Sequence, residues 1–260
     1  MNTSYQKIKE DLASLGICPG DKVLIHSSYK SLGPVDGGPE TLIRALMDTV
    51  GPDGLLLFPT FSYDHVTRFN PIFDVRYTAG NVGYIPEYFR HMAGVKRSLH
   101  PTHSVAVWGK EQDRYIANHQ EDSTCLGINS PLYKLKEDGG KILMIGCGIS
   151  HNTLLHGLEV YCRPPYALNV DYSDPKYHRE YTCIDEQDRI YRREFFHVFL
   201  FEHGFESDFD KLAEICPIKQ GNILEAECFL MNAREVWDTG YQKMQENPFF
   251  FVKRQDSPSH

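Results

Sequence analysis

The sequence has 260 residues, of which 41% are hydrophobic and 24% are charged, a composition typical of soluble globular enzymes. Its formal net charge is -8, from 35 acidic against 27 basic residues, and no block of Lys and Arg could follow a phosphate backbone, which argues against nucleic acid as a partner. No linker-like or low-complexity segment divides the chain, so we predict a single domain over residues 1–260.

The first residues do not resemble a signal peptide, because the charged side chains Lys7, Lys9 and Glu10 interrupt them. No later segment is apolar for long enough to span a bilayer. The seven cysteines are an odd number without C-x-x-C spacing, which indicates reduced thiols rather than a disulfide framework or a zinc site. We therefore expect a cytoplasmic protein that does not associate with membranes.

Helical and strand patterns alternate over the first two thirds of the chain. Buried strands are predicted for the apolar runs 22–28, 54–61, 104–109 and 141–148. Helices are predicted over 3–15, 39–50 and 83–92, from about 110, and over 152–162, where Ser150 could cap the helix. This alternation is typical of a three-layer α/β fold, in which helices flank a central sheet.

The pattern changes past residue 175. Two β-rich segments, 178–185 and 189–198, flank Glu186-Gln187 and predict an antiparallel hairpin, so we expect the central sheet to be mixed. A helix near 206–215, a strand near 221–230 and a helix near 231–246 are predicted next. Residues 255–260 are expected to be a frayed tail.

One predicted helix carries a candidate acid–base pair. If residues 151–161 are helical, Asn152, His156 and Glu159 lie on one face at i, i+4 and i+7. A carboxylate that holds one imidazole nitrogen fixes the tautomer, as a general base for amine attack requires. The same spacing also occurs in surface hydrogen bonds without a catalytic role. The position after the most apolar strand favours function, since ligands bind at strand-to-helix junctions.

Three other chemistries have weaker support in the residues. Cys147 could act as the nucleophile of a Cys-His-Glu acyltransferase or hydrolase, or be a buried structural thiol. His100 and His103 could ligate a metal, although the proline between them argues against a helical zinc motif. Gly146-Cys147-Gly148 begins a dinucleotide fingerprint, but His151 stands where the third glycine would be.

Several segments between residues 5 and 165 follow one another in a characteristic order. They are HSSYKSLGPVDGGPETLIRAL, LLFPTFS, IPEYFR, RSLHPTHSVAVWG, GINSPLYKL, GGKILMIG and NTLLHGLE. In this order they resemble the aminoglycoside 3-N-acetyltransferases. The resemblance implies the fold of that family, acetyl-coenzyme A as co-substrate without a metal ion, and transfer of the acetyl group to the 3-amino group of an aminoglycoside antibiotic, a reaction of antibiotic resistance.

The resemblance also assigns roles to individual residues. The family's catalytic histidine falls on His156 and its partner acid on Glu159. The cofactor-binding segments correspond to His26, Ser27, Ser28, Leu32, Gly33 and Val35, with Arg97, Ser98 and Ser104 as further candidates. Backbone amides of a glycine-containing loop can hold the pantetheine amides, and an arginine can neutralise a phosphate. A tight turn at Gly33 and a solvated cation at Arg97 are the alternatives.

The acceptor is expected to contact the aperiodic segment 62–80, which is long for a mere connection. The carboxylates Asp64, Asp74 and Glu87 are the predicted acceptor ligands, although each also fits a solvated surface charge. The segment departs from the family pattern at Val75 and at residues 78–80. This departure leaves a coenzyme A-binding relative that acts on another amine as the alternative, and the resemblance leaves a homodimer open.

The expected mechanism needs a base and an oxyanion site but no covalent intermediate, because a thioester is already activated. His156 would take a proton from the acceptor ammonium, and Glu159 would orient the ring and stabilise its charged form. The oxyanion donors are expected near Ser27, Ser28 or Thr153.

Overall fold

The structure is a computed structural model that describes residues 3–167, 179–195 and 204–255. Its α-helices are α1 (Thr3–Leu15), α2 (Gly38–Val50), α3 (Tyr84–Arg90), α4 (Gln112–Ile116), α5 (Pro131–Glu137), α6 (Leu155–Cys162) and α7 (Ala233–Glu246). Its strands are β1 (Lys22–Ser27), β2 (Leu55–Pro59), β3 (Ile72–Asp74), β4 (Lys96–Arg97), β5 (Val105–Gly109), β6 (Lys141–Ile145), β7 (Arg179–Ile184), β8 (Ile190–Phe195), β9 (Phe205–Ser207), β10 (Lys219–Ile223), β11 (Ala226–Asn232) and β12 (Val252–Arg254). No helix within these ranges is long and apolar enough to cross a membrane.

A seven-stranded sheet forms the centre of the fold, in the order β10-β11-β6-β1-β2-β5-β4. Strand β1 is parallel to both β2 and β6, whereas β5 pairs antiparallel with β2 and β11 antiparallel with β6. The prediction of a mixed sheet is confirmed. All five residues of β2 are buried, as expected for a strand covered on both faces.

Helices cover both faces of this sheet, which confirms the three-layer prediction. Val23 and Ile25 of β1 point into the core that packs against α1, α2 and α3. Leu24 between them points into the other core, which packs against α5, α6 and α7. This alternation follows from the two-residue period of a strand. Since the sheet takes strands from residue 22 to residue 232, we retain the prediction of a single domain.

The predicted hairpin is confirmed over its described residues, 179–195, but it does not join the central sheet. Strand β7 pairs antiparallel with β8 and parallel with β3, so the three strands form a separate small sheet. Strand β3 lies inside segment 62–80, where no strand was predicted. Residues 178 and 196–198 of the predicted hairpin lie outside the described residues.

Three predictions for the last part of the chain need correction. The predicted strand at 221–230 is a hairpin of β10 and β11, because Leu224, with φ of 50°, turns the chain back. The predicted helix at 206–215 is strand β9 followed by a 3-10 helix, Phe209–Glu214. Gln255 is not frayed, since its N–H donates to the Gly204 carbonyl. Residues 256–260 lie outside the described residues.

Candidate active site

A cavity of about 270 Å³ lies at the carboxyl ends of β1, β2 and β6, the parallel strands in the middle of the central sheet. We call it the central cavity. It is lined by Ile25, His26, Ser27, Pro59, Phe61, Tyr63, Val82, Pro86, His103, Cys147, Ser150, His151, Asn152, Thr153 and His156. This edge of an α/β sheet is where ligands bind in open α/β folds.

The predicted pair on α6 is formed. Nδ1 of His156 lies 2.7 Å from Oε2 of Glu159, a hydrogen bond between residues three apart on the helix. The His156 side chain is 33% exposed and lines the cavity, whereas the Glu159 side chain is 1% exposed. Because the carboxylate accepts the Nδ1 proton, Nε2 of His156 is left as the basic nitrogen.

Packing fixes the His156 ring from the other side. The ring of Phe209 meets it edge-on, with the centroids 5.0 Å apart and an angle of 68° between the ring planes. Phe209 begins the 3-10 helix that follows β9 and is itself buried. A carboxylate on one side and an aromatic edge on the other therefore hold the imidazole in one orientation.

The predicted third member of the helical face, Asn152, lies before the helix. Helix α6 begins at Leu155, so the i, i+4, i+7 prediction is wrong for Asn152, and Ser150 does not cap the helix. The Asn152 amide donates to Sδ of Met231, and its oxygen accepts from the Leu154 N–H. Asn152 therefore shapes the turn before α6 and still lines the cavity.

His26 and Ser27 reach the central cavity from the end of β1. Burial, with the nearby His151 as a smaller cause, lowers the pKa of His26 to about 3, so its ring is neutral at physiological pH. Its Nε2 lies 3.4 Å from the Thr153 hydroxyl. The Ser27 hydroxyl is buried and has no hydrogen-bond partner among the described residues. A buried hydroxyl in that position is suited to a ligand.

The other residues of the predicted cofactor loop turn their side chains away from the cavity. Leu32 is fully buried in the core, and Val35 packs against the same core. The Ser28 N–H donates to the Ile145 carbonyl, which ties the loop to β6. Gly33 has φ of 71°, and the Glu225 carboxylate occupies the space where a Cβ would be. Ser28, Leu32 and Val35 do not line the central cavity, so the backbone of this loop is its candidate contact with a cofactor.

The structure does not bring Arg97 to the central cavity. Its side chain packs over the ring of Phe73 and donates to Thr60, Thr78 and the Ser104 hydroxyl. Ser98 and Ser104 are fully buried beside it. The Ser98 hydroxyl accepts from the Val105 N–H and lies 2.8 Å from Nδ1 of His119. These contacts give the predicted cofactor binding by Arg97, Ser98 and Ser104 no support.

The predicted acceptor carboxylates do not line the central cavity either. Asp64 is exposed. Asp74 binds Arg76, and hydrogen bonds from this arginine lower the pKa of the carboxyl group. Burial opposes the ionisation of Glu87, but hydrogen bonds from Arg90 and the Gly80 amide outweigh it and bring its pKa to about 2. Asp74 and Glu87 are thus ionised and already paired with arginines.

Cys147 lines the cavity, as its position after β6 suggested. Burial raises the pKa of its thiol to about 11, which keeps the sulfur protonated and weakly nucleophilic near neutral pH. In the described residues no hydrogen bond joins this thiol to His156, which the Cys-His-Glu alternative requires. The geometry therefore argues against a thiol nucleophile.

The two histidines of the His100-Pro101-Thr102-His103 segment have different surroundings. Nδ1 of His100 accepts the N–H groups of Thr102 and His103, and its Nε2 lies 3.1 Å from the Thr124 carbonyl. Both nitrogens of His100 are thus engaged by the backbone, which argues against a metal bound there. His103 lines the central cavity instead.

Several residues of the site were not predicted from the sequence. Phe209 approaches the dyad, and Tyr63 and His103 reach the cavity, from segments distant in the chain. The pattern of local spacing carries no signal for such contacts.

An imidazole held by a buried carboxylate, at the carboxyl edge of a mixed α/β sheet, is an arrangement that can take up and release a proton. A family model described as aminoglycoside 3-N-acetyltransferase matches residues 24–245. The chain therefore belongs to the aminoglycoside 3-N-acetyltransferase family.

Individual relatives agree with this assignment. The chain is 30% identical to aminoglycoside N(3)-acetyltransferase VII of Streptomyces paromomycinus, over 92% of this chain and 91% of the relative. It is 29% identical to the aminoglycoside N(3')-acetyltransferase-like protein YokD of Bacillus subtilis, over 90% and 89%. The crystal structure of YokD matches with a TM-score of 0.77 over 94% of both chains. A binary structure of AAC-IIIb with CoASH matches at 27% identity with a TM-score of 0.76, over 98% of both chains.

Proposed function

We propose that the protein transfers the acetyl group of acetyl-coenzyme A to the 3-amino group of an aminoglycoside, with His156 as the general base. The observation that carries the proposal is the hydrogen bond between His156 and the buried Glu159, with His156 facing the central cavity. Membership of the aminoglycoside 3-N-acetyltransferase family supports this choice of donor and acceptor.

In the proposed reaction, Nε2 of His156 accepts a proton from the acceptor ammonium, and the free amine is then the nucleophile. Glu159 keeps the proton of Nδ1 and stabilises the imidazolium that forms. A desolvated carboxylate interacts more strongly with that charge than an exposed one would. Acetyl-coenzyme A supplies a thioester, an already activated acyl group, so no residue of the chain needs to form a covalent intermediate.

The oxyanion of the acyl transfer requires hydrogen-bond donors close to the dyad. The Ser27 hydroxyl is the best candidate, because it lines the cavity and is buried without a partner among the described residues. Thr153 lines the same cavity, but its hydroxyl already lies 3.4 Å from His26. We therefore assign the oxyanion to Ser27 first and to Thr153 second.

The loop between β1 and α2 fits the pantetheine and phosphate parts of coenzyme A through its backbone. Gly33 and Gly37 both have positive φ, and α2 begins at Gly38. The partial positive charge at the amino end of this 13-residue helix favours a phosphate. His26 and Ser27 lie where this loop meets the central cavity. We keep these residues, and not Arg97, as the cofactor contacts.

The experiment that tests the proposal follows thiol release from acetyl-coenzyme A with a panel of aminoglycosides, in the parent protein and in His156→Ala. Amine-dependent release that the substitution abolishes is the expected result, with mass spectrometry and NMR locating the acetyl group on the 3-amino nitrogen. Binding of coenzyme A without release for any aminoglycoside would overturn the proposed acceptor.

A second candidate acceptor is an amine with fewer positive charges. The described lining of the central cavity consists of imidazole, hydroxyl, amide, thiol and apolar groups, among them His26, His103 and His151. Such a lining suits a weakly charged amine better than a polycation, which carboxylates would attract. A panel of monoamines and diamines in the same thiol-release assay distinguishes the two candidates by kcat/KM.

The place of action follows from the proposed chemistry, whereas the assembly does not. We place the protein in the cytoplasm, where acetyl-coenzyme A is available. A homodimer stays a prediction, which light scattering in solution tests.

A further inference from the structure

Glu159 and Tyr166, which are not among the residues that line the central cavity, each have a buried polar atom without a hydrogen-bond partner in the described part of the chain. Oε2 of Glu159 accepts from His156, but Oε1 is buried and has no hydrogen bond of normal geometry within the described residues. The hydroxyl of Tyr166, also buried, lacks such a bond in the same part of the chain. One atom is an acceptor and the other is a donor.

The Glu159 carboxylate acts on the Tyr166 hydroxyl. Burial raises the pKa of this hydroxyl, and the charge of Glu159 raises it further. The phenol therefore keeps its proton at any working pH and remains a donor. A desolvated carboxylate oxygen without a donor is costly, and a neutral hydroxyl supplies what it needs without adding a second charge.

The Tyr166 ring is held in place by aromatic packing. Its centroid lies 5.7 Å from that of Phe205 and 5.8 Å from that of Phe249, and the residue is 1% exposed. It follows Pro164 and Pro165, and the Ala167 N–H donates to the Pro164 carbonyl, which makes a turn just after α6. The hydroxyl is therefore presented from a fixed framework rather than from a mobile side chain.

The other titratable groups around the dyad do not offer an equivalent donor. Burial and, as a smaller cause, the charge of Glu159 raise the pKa of the Cys125 thiol to about 12. A thiol is also only a weak hydrogen-bond donor. On the cavity side, the titratable groups are His26, Tyr63, His103, Cys147 and His151. They share the cavity with the His156 ring rather than lying behind Glu159.

We propose that Tyr166 is a positioning residue of the dyad: its hydroxyl donates to Oε1 of Glu159 and so leaves Oε2 aligned with Nδ1 of His156. The proposal deepens the proposed function and relies on it only for its kinetic readout. Tyr166 is not among the residues that line the central cavity. It shares the carboxylate with His156 and thereby sets how strongly the carboxylate stabilises the imidazolium.

Tyr166→Phe tests the proposal, since it removes the hydroxyl and keeps the ring. Without the hydroxyl, the carboxylate interacts with His156 alone, so the pKa of His156 should rise by about one unit, the scale of one hydrogen bond to a charged group. An NMR titration of ¹⁵N-histidine-labelled protein measures this without any acceptor. In the thiol-release assay, kcat should fall about tenfold at neutral pH with KM for acetyl-coenzyme A unchanged.

The direction of the pH effect follows from the sign of that shift. His156 acts only when neutral, so a raised pKa moves the acidic limb of kcat/KM to higher pH. Tyr115→Phe is the matched control, because the Tyr115 hydroxyl is a buried donor to another carboxylate, Asp138, at 2.7 Å. It should lower the melting temperature and leave the titration of His156 and kcat as in the parent.

An unchanged His156 titration and an unchanged kcat in Tyr166→Phe, with a loss of stability like that of Tyr115→Phe, would show that Tyr166 only packs. If Tyr166→Phe does not fold, 3-fluorotyrosine placed at position 166 keeps the hydroxyl. Its ¹⁹F resonance should then move with the titration of His156, and a resonance that does not move overturns the proposal. If the parent protein is inactive with every amine, the proposed function is refuted. The NMR titration of His156 and the ¹⁹F titration at position 166 then still decide whether Tyr166 positions the dyad.

Discussion

The guanidinium of Arg97 lies 4.8 Å from the ring centroid of Phe73, and its N–H groups donate to backbone carbonyls of Thr60 and Thr78. One side chain thus connects the end of β2, strand β3 and the end of segment 62–80. The Arg97 side chain is 7% exposed, so its contacts with segment 62–80 are buried and hold that segment against the central sheet.

Replacing Arg97 by Met should destabilise the protein by about 3 kcal/mol or more, because several buried carbonyls and hydroxyls lose their donor. Urea unfolding followed by circular dichroism measures the loss. Coenzyme A affinity, measured by calorimetry below the unfolding transition, should stay within about twofold of the parent, since a salt bridge to phosphate would contribute more than that. A large loss of affinity in a folded Arg97→Met variant would instead restore the role predicted from the sequence.

Removing the base should affect the chemical step and not binding. His156→Ala should lower kcat by about 10²- to 10⁴-fold, the range of general-base catalysis. Glu159→Gln should lower kcat less, because the imidazole remains but loses the carboxylate that stabilises its charged form. Steady-state kinetics with acetyl-coenzyme A and the best acceptor give both values. A rise in KM for both variants with an unchanged kcat would show that these residues only bind substrate.

The thiol that lines the cavity should be dispensable. Cys147→Ala is expected to keep kcat within about twofold of the parent, because a protonated thiol with a raised pKa is not a nucleophile at neutral pH. Alkylation of Cys147 with iodoacetamide should be slow at pH 7 and should accelerate as the pH approaches 11. A Cys147→Ala variant without activity would return the thiol nucleophile to consideration.

Gly33 should not tolerate a side chain. At its φ of 71° an L-residue is strained, and a Cβ would also collide with the Glu225 carboxylate. Gly33→Ala should cost about 1 to 3 kcal/mol of stability and weaken acetyl-coenzyme A binding. The double variant Gly33→Ala with Glu225→Ala relieves the collision but not the backbone strain, so it should recover only part of both losses. Full recovery would show that the carboxylate alone requires glycine.

Acid should destabilise the protein through His26. Its folded pKa of about 3 lies below the unfolded value of 6.5, so the unfolded state binds the proton more readily and stability falls as the pH drops below 6.5. Between pH 6.5 and 5 the loss from this group is about 2 kcal/mol. Urea unfolding of His26→Gln should show a shallower decline over that window. The decline that remains includes His119, whose pKa burial also lowers.

The sequence predicted contacts between residues that are close in the chain and missed contacts between residues that are far apart in it. His156 and Glu159 are three residues apart on one helix, so helical spacing alone predicted their contact. Apolar runs predicted the central strands because both faces of the sheet are covered. The resemblance made Arg97 a cofactor candidate and its charge suited a phosphate, whereas the carbonyls that bind it are not visible in the sequence.

Long-range pairing accounts for most of what was missed. Strand β3 has three residues and no apolar pattern of its own, and it is a strand because β7 lies beside it. Phe209 reaches the dyad from a segment whose position depends on the whole fold. The hairpin of β10 and β11 was read as one strand because the turn at Leu224 contains neither glycine nor proline.

The pairing of β3 with β7 has a consequence for protein engineering. Residues 72–74 form backbone ladder contacts with residues 182–184, so segment 62–80 and the hairpin that follows α6 are one structural unit assembled from two parts of the chain. A chimera that exchanges segment 62–80 with that of a relative would bring a strand whose neighbour was shaped for different side chains. A transplanted segment 62–80 should therefore be accompanied by the β7–β8 hairpin of the same relative.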